Sequence, residues 1–527
     1  MQRSHNQPLS RLTTLDAALL ALVTSFGISY ALVPALIACG HRLGLLDRPD
    51  EPRRIHSRPV PRLGGVAVYV GVFAAMSLVA LVSGAGAFHP SITGIAAGSI
   101  VVFLTGLLDD IKGLSPRGKL AAQLIAAILV VTHGLHVTSV VVVPGVALDL
   151  GVLGAPLTAF WLIGVTNSFN LIDGVDGLAG SMALIGLCVV AIADIFLGTF
   201  SVTVASFALL GGVFAFLRFN GAPARIFLGD AGSMVLGFAI AALSVVAATD
   251  SAGRTYVLVP LFALAYPLTD TATAIARRWL RDHPLSRADG RHIHHQLLAI
   301  GLSPKRTVEF LGLLFGAAAG VGLSVVFAPK ELTAALLATV VALVGVATYH
   351  GVRWLGYSEF IELGRTVVSG IRKGRAVVRQ KVCVGELAER IETAVSIDDL
   401  NRLLSESSEE LQLLGIQLVP ADRKGRQPDA IIAPPDALPY RLDYRVTVHH
   451  LARRIEMLLR VWCPRPAPGV WGEPGAERVV TRLGPVIERW IAGRPDMCAT
   501  LVDGFDAQHS PYFRGSHRTG GEIGTEI

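Results

Sequence analysis

Acids, amides and histidines gather at four places in this chain. Asp109 and Asp110 are adjacent. Asn170, Asp173 and Asp176 lie in "NSFNLIDGVDGLAG" (167–180), which has no Lys or Arg; Asn220 and Asp230 lie in "RFNGAPARIFLGDAGS" (218–233); His292, His294 and His295 lie in "DGRHIHHQLL" (289–298). Carboxylates beside asparagines are hard oxygen donors, which suit Mg²⁺, or Mn²⁺ in its place, better than zinc. A magnesium site takes one or two carboxylates and completes its shell with water and substrate phosphate, so the surplus acids would orient ligands. The glycines let backbone approach a phosphate and leave N–H groups free at helix starts. Three histidines within four residues cannot readily wrap one tetrahedral ion; among Arg287 and Arg291 they make a better contact for an anion or a nucleotide.

Each cluster also has a plainer reading. Asp109 and Asp110 could end a helix and pair with Lys112 or Arg117; Asp173 and Asp176 could cap the helix that follows them; Asp230, ahead of Ala231, Gly232 and Ser233, could do the same. Capping is the commoner fate of such residues. Repetition weighs against it here: three acidic clusters fall on one membrane side, with basic residues nearby to neutralise an anionic substrate.

The elements that must position these groups are membrane helices. The 527 residues are 52% hydrophobic and 16% charged, with a mean hydropathy of +0.55, outside the range of an ordinary soluble domain. Apolar runs long enough to cross a bilayer begin near Leu15, Leu63, Ser91, Leu120, Val152, Leu178, Ser201, Ala231, Thr255, Val308 and Leu332. This predicts an all-α polytopic protein with about eleven transmembrane helices. Arg3 and Arg11 precede the first run, but it is too long for a signal sequence and lacks a small-residue cleavage site, so it reads as a retained helix. Arg and Lys concentrate in alternate loops (42–62, 112–119, 218–225 and 277–306), which the positive-inside rule makes cytoplasmic, with the N-terminus outside and the C-terminus in the cytosol. The same distribution assigns the net charge of +6 to topology and lipid headgroups, and no nucleic-acid partner is expected. Five scattered cysteines without a CxxC indicate neither a disulfide framework nor a zinc ribbon.

Beyond the last run the chain changes character. We divide it into an N-terminal tail (1–14), a transmembrane catalytic domain (15–350), a basic juxtamembrane linker (351–384), a small cytosolic α/β or α+β accessory domain (385–508) and a disordered tail (509–527). "RTVVSGIRKGRAVVRQK" (365–381) suits the cytoplasmic leaflet or a helical linker. Ser396 with Asp399 reads as a capping box, "YRLDYRVTV" (440–448) alternates as a strand, and "ERVVTRLGPVIERWI" (477–491) has helical spacing.

"DRPDEPRRIHSRPVPRLGG" (47–65), "LLDDIKGLSPRGKL" (107–120), the Asn-rich loop at 167–180, "FLGDAGS" (227–233) and "HIHH" (292–295), in this order, resemble the polyprenyl-phosphate N-acetylhexosamine-1-phosphate transferase family over about residues 12–350. "HSRPVPRLGG" and "HIHHQLL" resemble the bacterial UDP-GlcNAc:undecaprenyl-phosphate branch rather than the phospho-MurNAc-pentapeptide branch. The resemblance implies a plasma-membrane enzyme whose cytoplasmic site moves HexNAc-1-phosphate from a UDP-N-acetylhexosamine to undecaprenyl phosphate, starting O-antigen, teichoic acid or a related lipopolysaccharide or cell-wall glycan. It implies Asp109, Asp110, Asp173 and Asp176 as catalytic, Asp230 with Asp110 as metal ligands, and Asn170, Asn220, His292, His294, His295 and Arg58 as substrate-binding. The first loop lacks the lysine of the other branch, which leaves His56, Arg58 and Arg54 as alternative partners of the lipid phosphate. Asp270 also fits the pattern, as a supporting or structural acid.

Rival classes are a secondary transporter and a non-catalytic sensor of polyprenyl phosphate. Transporters place binding groups at the midplane on broken, repeated helices, whereas these acids collect at one face and no half-to-half repeat is visible. UDP-GlcNAc is the expected donor, with GalNAc, FucNAc and QuiNAc derivatives as alternatives; a homodimer is left open.

Overall fold

A computed structural model describes residues 12–47, 59–84, 88–143, 146–197, 199–281, 283–284, 290–368, 374–411, 415–420, 440–450, 453–463 and 473–494. Arg54, His56, Arg58, Arg287 and the 509–527 tail lie outside the described residues. The chain divides into two units, Met1–Ala276 with Leu285–Gly356, and Arg277–Pro284 with Tyr357–Ile527.

The first unit is a helical bundle. In chain order it holds α1 (Thr14–Leu43), the two-residue strands β1 (Leu46–Asp47) and β2 (Val60–Pro61), α2 (Gly64–Ser83), α3 (Pro90–Lys112), α4 (Pro116–Thr132), β3 (Ser139–Val143) and β4 (Val146–Asp149). It continues with α5 (Gly154–Ile172), α6 (Leu178–Leu197), α7 (Phe200–Asn220), α8 (Gly229–Ala247), β5 (Arg254–Tyr256), α9 (Leu258–Ala263), α10 (Ala265–Leu280, which from Arg277 on belongs to the second unit), α11 (Ile293–Ala299), α12 (Pro304–Phe327) and α13 (Lys330–Trp354). Local sequence sets several starts. Thr13 and Asp16 form a capping box on α1, and Ser115 and Ser303 each accept a backbone N–H ahead of a proline at the head of α4 and α12. β1 pairs antiparallel with β2, and β3 lies between β4 and β5.

Among the described residues nine helices are long and apolar enough to cross a membrane, so the protein is integral to one. The expected count was eleven. The runs near Leu120 and Thr255 fall short because α4 has only 17 residues, with Arg117 and Lys119 in its first turn, and the second run breaks at Leu264 into six-residue α9 and amphipathic α10. The core centres on α8, with 94% of its apolar window buried against α2, α3, α5 and α6, whereas α13 buries 11%. A helix apolar on every side belongs in the middle of a bundle. This places the first turn of α8, with Asp230, among the ends of its neighbours.

Glycine lets those ends close. Gly65 of α2 and Gly232 of α8 meet backbone to backbone, with Gly64 and Gly65 N–H donating to the carbonyls of Phe227 and Leu228 at 2.8 Å each. Gly229 has φ of 74°, and a side chain there would strike the Arg62 carbonyl and the Asp110 carboxylate.

The second unit packs α14 (Ser358–Val368), α15 (Gly374–Thr393), α16 (Ile397–Glu410) and α17 (Glu473–Ala492) with an antiparallel sheet of β6 (Gly415–Pro420), β8 (Arg453–Cys463) and β7 (Tyr440–His450), in that order. Leu387, Ile391, Leu404, Leu459, Leu483 and Ile487 are in its core. Ser396 accepts the Asp399 N–H at 3.1 Å. Within this unit Arg281 bonds Glu359 at 2.6 Å and Glu386 at 2.5 Å.

Candidate active site

The ends of α3, α5 and α7 and the start of α8 surround a cavity of about 1340 Å³ in the first unit. Its lining includes Asp110, Asn170, Asp173, Asp176, Asn220, Asp230 and His295. Sequence motifs up to 185 residues apart thus meet at one opening.

Asp110 accepts the N–H groups of Asp230 and Ala231, each at 3.0 Å, and so caps α8. The cap expected of Asp230 is therefore supplied from another helix, and Asp230 is turned instead to Lys119, whose Nζ lies 2.9 Å from both Asp230 and Asp109. Asp109 also accepts the Leu114 N–H at 2.6 Å, tying the α3–α4 turn. A lone ammonium between two carboxylates occupies the position that a compact cation would favour.

The α5–α6 loop is held by its neighbours. Asp176 accepts the Ala224 N–H at 2.9 Å, and buried Asn220 accepts from Gly177 N–H and donates to the Ile226 carbonyl, both at 2.9 Å. The expected capping of α6 by Asp173 or Asp176 gives way to this cross-loop clamp. Asn170 donates to Ser233 of α8 at 3.0 Å. Burial, with Asp230 and Asp110 close by, pushes the Asp173 carboxyl well above its usual range, against the opposing charge of Arg62.

The histidines divide. His295 lines the cavity, while His292 and His294, at the start of α11, are buried behind it against Asp270 and Tyr266 of α10. Asp270 accepts from His292 Nδ1 at 2.7 Å and from Ile293 N–H at 2.6 Å; Tyr266, one turn earlier, bonds His294 Nδ1 at 3.0 Å. The two rings stack at 5.6 Å with 11° between planes. Burial lowers the His294 pKa to about 3, so it is neutral at ordinary pH, and its Nε2 has no hydrogen-bond partner among the described residues.

Sequence reasoning passed over Lys119, Arg62 and Asp47. Arg62 and Asp47 both line the cavity and form an ion pair. The Ser-Pro helix start at 115–116, which puts Lys119 in a first turn beside the preceding acids, was the available signal for the lysine.

A family profile described as glycosyl transferase family 4 matches residues 92–248. The probable undecaprenyl-phosphate N-acetylglucosaminyl 1-phosphate transferase of Bacillus subtilis is 35% identical over 306 residues, covering 57% of this chain and 84% of the relative. The chain belongs to glycosyl transferase family 4. That is the polyprenyl-phosphate HexNAc-1-phosphate transferase family its motifs resemble, and membership makes it an enzyme of the phosphotransferase type. Other family 4 relatives include the decaprenyl-phosphate N-acetylglucosaminephosphotransferase of Mycobacterium tuberculosis, 32% identical over 363 residues (63% of this chain, 88% of the relative). The undecaprenyl-phosphate alpha-N-acetylglucosaminyl 1-phosphate transferase of Escherichia coli is 27% identical over 290 residues (53% and 76%). The family 4 match spans α3 to α8, the helices whose ends carry Asp109, Asp110, Asp173, Asp176 and Asp230.

Proposed function

We propose that the protein transfers GlcNAc-1-phosphate from UDP-GlcNAc to undecaprenyl phosphate, releasing UMP and leaving a lipid-linked sugar that begins a cell-envelope glycan. The observation that carries this reading is the convergence of Asp110, Asp173, Asp176 and Asp230 with two asparagines on one cavity at the helix ends. Among the described residues the lining has more carboxylates (Asp47, Asp110, Asp173, Asp176 and Asp230) than cations (Arg62, Arg225 and Lys305), an excess that suits a ligand bringing its own counter-charge, as a magnesium-bound sugar nucleotide does.

Mg²⁺ fits the donor set. Among the described residues no three His, Cys, Asp or Glu side chains converge to hold an ion unaided, which suits an ion that takes much of its shell from water and phosphates. Asp230 and Asp110 would hold it. When bound it offsets the repulsion between the two phosphate groups and the charge gathering on departing UMP. Lys119 holds Asp109 and Asp230 in place until the substrates arrive. The acceptor monoester, with a second pKa of about 6, is largely dianionic at neutral pH, so positioning of its oxygen against the sugar-proximal phosphorus matters more than proton removal. Asn170 and Ser233 fix the floor of the site; His295 and the 173–177 loop face the donor.

Counting α4 and the α9–α10 pair as crossings gives eleven spans in a bacterial plasma membrane, with the N-terminus outside and the site and second unit cytoplasmic. The test is UMP release by the purified full chain with undecaprenyl phosphate and Mg²⁺, across UDP-GlcNAc, UDP-GalNAc and their deoxy relatives, with EDTA as control. Lipid- and metal-dependent UMP from UDP-GlcNAc is expected; metal-independent release, or none from any donor by folded protein, overturns the reading.

A further inference from the structure

Arg62 lies on the seam between the membrane-embedded wall of the cavity and its acids. The residues on either side of it, Pro61 and Leu63, pack on Gly40 of α1, and one and nearly two turns earlier on that helix Ile37 and Pro34 line the cavity. In the other direction the Arg62 carbonyl and the Asp110 carboxylate close together on Gly229.

The guanidinium is held but not consumed. Its Nη2 donates to Asp47, and the β1–β2 pairing of Asp47 with Val60 fixes that carboxylate in register beside it. The Arg62 side chain remains 37% exposed and faces the cavity. Arginine carries five N–H donors in a planar fork that matches two phosphate oxygens, so one contact to Asp47 orients the fork without exhausting it. The other cations lining the cavity among the described residues are placed differently: Arg225 lies over the Phe219 ring at 4.8 Å, and Lys305 is 75% exposed near Glu309. The charge of Arg62 also acts on Asp173.

We propose that Arg62, oriented by Asp47, receives the phosphate of the polyisoprenoid acceptor. This inference rests on the transferase reading above. The neighbours decide acceptor over donor. Ile37 and Pro34 belong to a membrane-spanning helix, an apolar contact that a polyisoprenoid chain requires and a water-soluble nucleotide sugar does not. An oriented arginine at that boundary holds the phosphate at the level of the helix ends while the chain stays in hydrocarbon.

The test is equilibrium binding of undecaprenyl phosphate to the purified full chain in nanodiscs, without donor, by displacement of a fluorescent polyprenyl phosphate, with neutral undecaprenol as control. Arg62→Ala is expected to weaken binding of the lipid phosphate roughly 10- to 100-fold, the scale of a lost charge-assisted contact. Arg62→Lys should weaken it less, because one ammonium cannot take two oxygens in a fork, and Asp47→Asn less again. Undecaprenol binding and UDP-GlcNAc affinity should stay within about twofold of wild type. Should Arg62→Ala fail to fold, Arg62→Lys and Asp47→Asn carry the same ordering. Variants that bind the lipid phosphate like wild type, variants that lose UDP-GlcNAc instead, or a wild-type protein that binds no lipid phosphate overturn the inference. Wild type that binds the lipid phosphate through Arg62 yet releases no UMP from any donor would sink the transferase reading and leave this one standing.

Discussion

Asp194, in the last turn of α6, and Asp250, just beyond α8, lie at the opposite end of the bundle from Asp110, Asp173 and Asp230, and the two ends use carboxylates differently. Asp194 is fully buried, and accepts from the Thr199 N–H at 3.2 Å and from the Thr203 hydroxyl. Asp250 accepts from Ala252 N–H, Arg254 N–H and Arg254 Nε at 2.9–3.0 Å. Each closes a turn with donors from its own stretch of chain. At the other end Asp47, Asp110, Asp173, Asp176 and Asp230, from four different segments, line one cavity, and among the described residues Arg62, Arg225 and Lys305 are too few to match them. Burial of a carboxylate is therefore not in itself a functional signal; unmatched charge around an accessible volume is. The same contrast marks titration. Against the opposing effect of burial, hydrogen bonds from Arg254 and Ala252 hold Asp250 below the usual carboxylate range, while burial and neighbouring acids hold Asp173 above it.

The sharpest way to break this comparison is to neutralise one acid at each end. Asp230→Asn is expected to lower UMP release roughly 10²- to 10³-fold, the effect of deleting one preorganised electrostatic contact, with thermal stability in detergent little changed. Asp194→Asn should do the reverse. Its amide oxygen can still accept the Thr199 N–H and its N–H can donate to a turned Thr203 hydroxyl, so two charge-assisted bonds become neutral ones, costing about 1–2 kcal/mol of stability, while activity per folded molecule stays near wild type. Paired thermal-shift and turnover measurements decide. A large loss of turnover in Asp194→Asn, or a destabilised but active Asp230→Asn, would erase the distinction.

Much of the functional end was legible before any fold was known, because hydropathy and loop charge place Asp109, Asp110, Asp173, Asp176 and Asp230 on one membrane side. What each acid does there was not legible. The cap of α8 comes from Asp110, 120 residues before Asp230, and no local pattern shows which of two acids will turn to a helix end when both are near it. Hydropathy likewise finds spanning helices without ranking them. α8 has a mean hydropathy of 1.8 and α13 of 2.1, yet α8 is nearly all buried and α13 nearly bare. The difference lies in Gly65, Gly106 and Gly237, which let other backbones reach α8. Lys119 stayed hidden for the same reason. Its two partners are 10 and 111 residues away, and only the first is close enough to be guessed.

A smaller effect sharpens the comparison through pH. Asp173 has a raised pKa in the folded protein, so its neutral form is favoured there. Its contribution to stability is full at low pH and is lost as pH rises through the raised value, whereas a bound divalent cation favours the ionised form. The Mg²⁺ concentration for half-maximal turnover should therefore rise about tenfold per pH unit below that value, by competition of one proton with the metal. In Asp173→Asn the residual activity should show a flatter dependence. A wild-type requirement that shows no rise at all as pH falls from neutral toward the ordinary carboxylate range would show that the acids carry no shared charge excess.

The smallest expected effect concerns an acid that belongs to neither pattern. Asp270 is fully buried and well supplied with donors, like Asp194, but its donors come from the histidine segment next to the cavity rather than from its own turn. A carboxylate can only accept while ionised, so His292 must carry its proton on Nδ1 and turn Nε2 away from α10. Tyr266 holds His294 the same way round, and His294 Nε2 lies 3.6 Å from where a side chain on Gly174 would begin. His294 thus sits behind Gly174 of the Asp173 loop while His295 lines the cavity. Asp270→Asn should raise the KM for the nucleotide sugar about tenfold and leave that for the lipid acceptor unchanged, with Tyr266→Phe giving a weaker version of the same split. Equal rises in both KM values, or loss of folded protein alone, would return Asp270 to the class of Asp194.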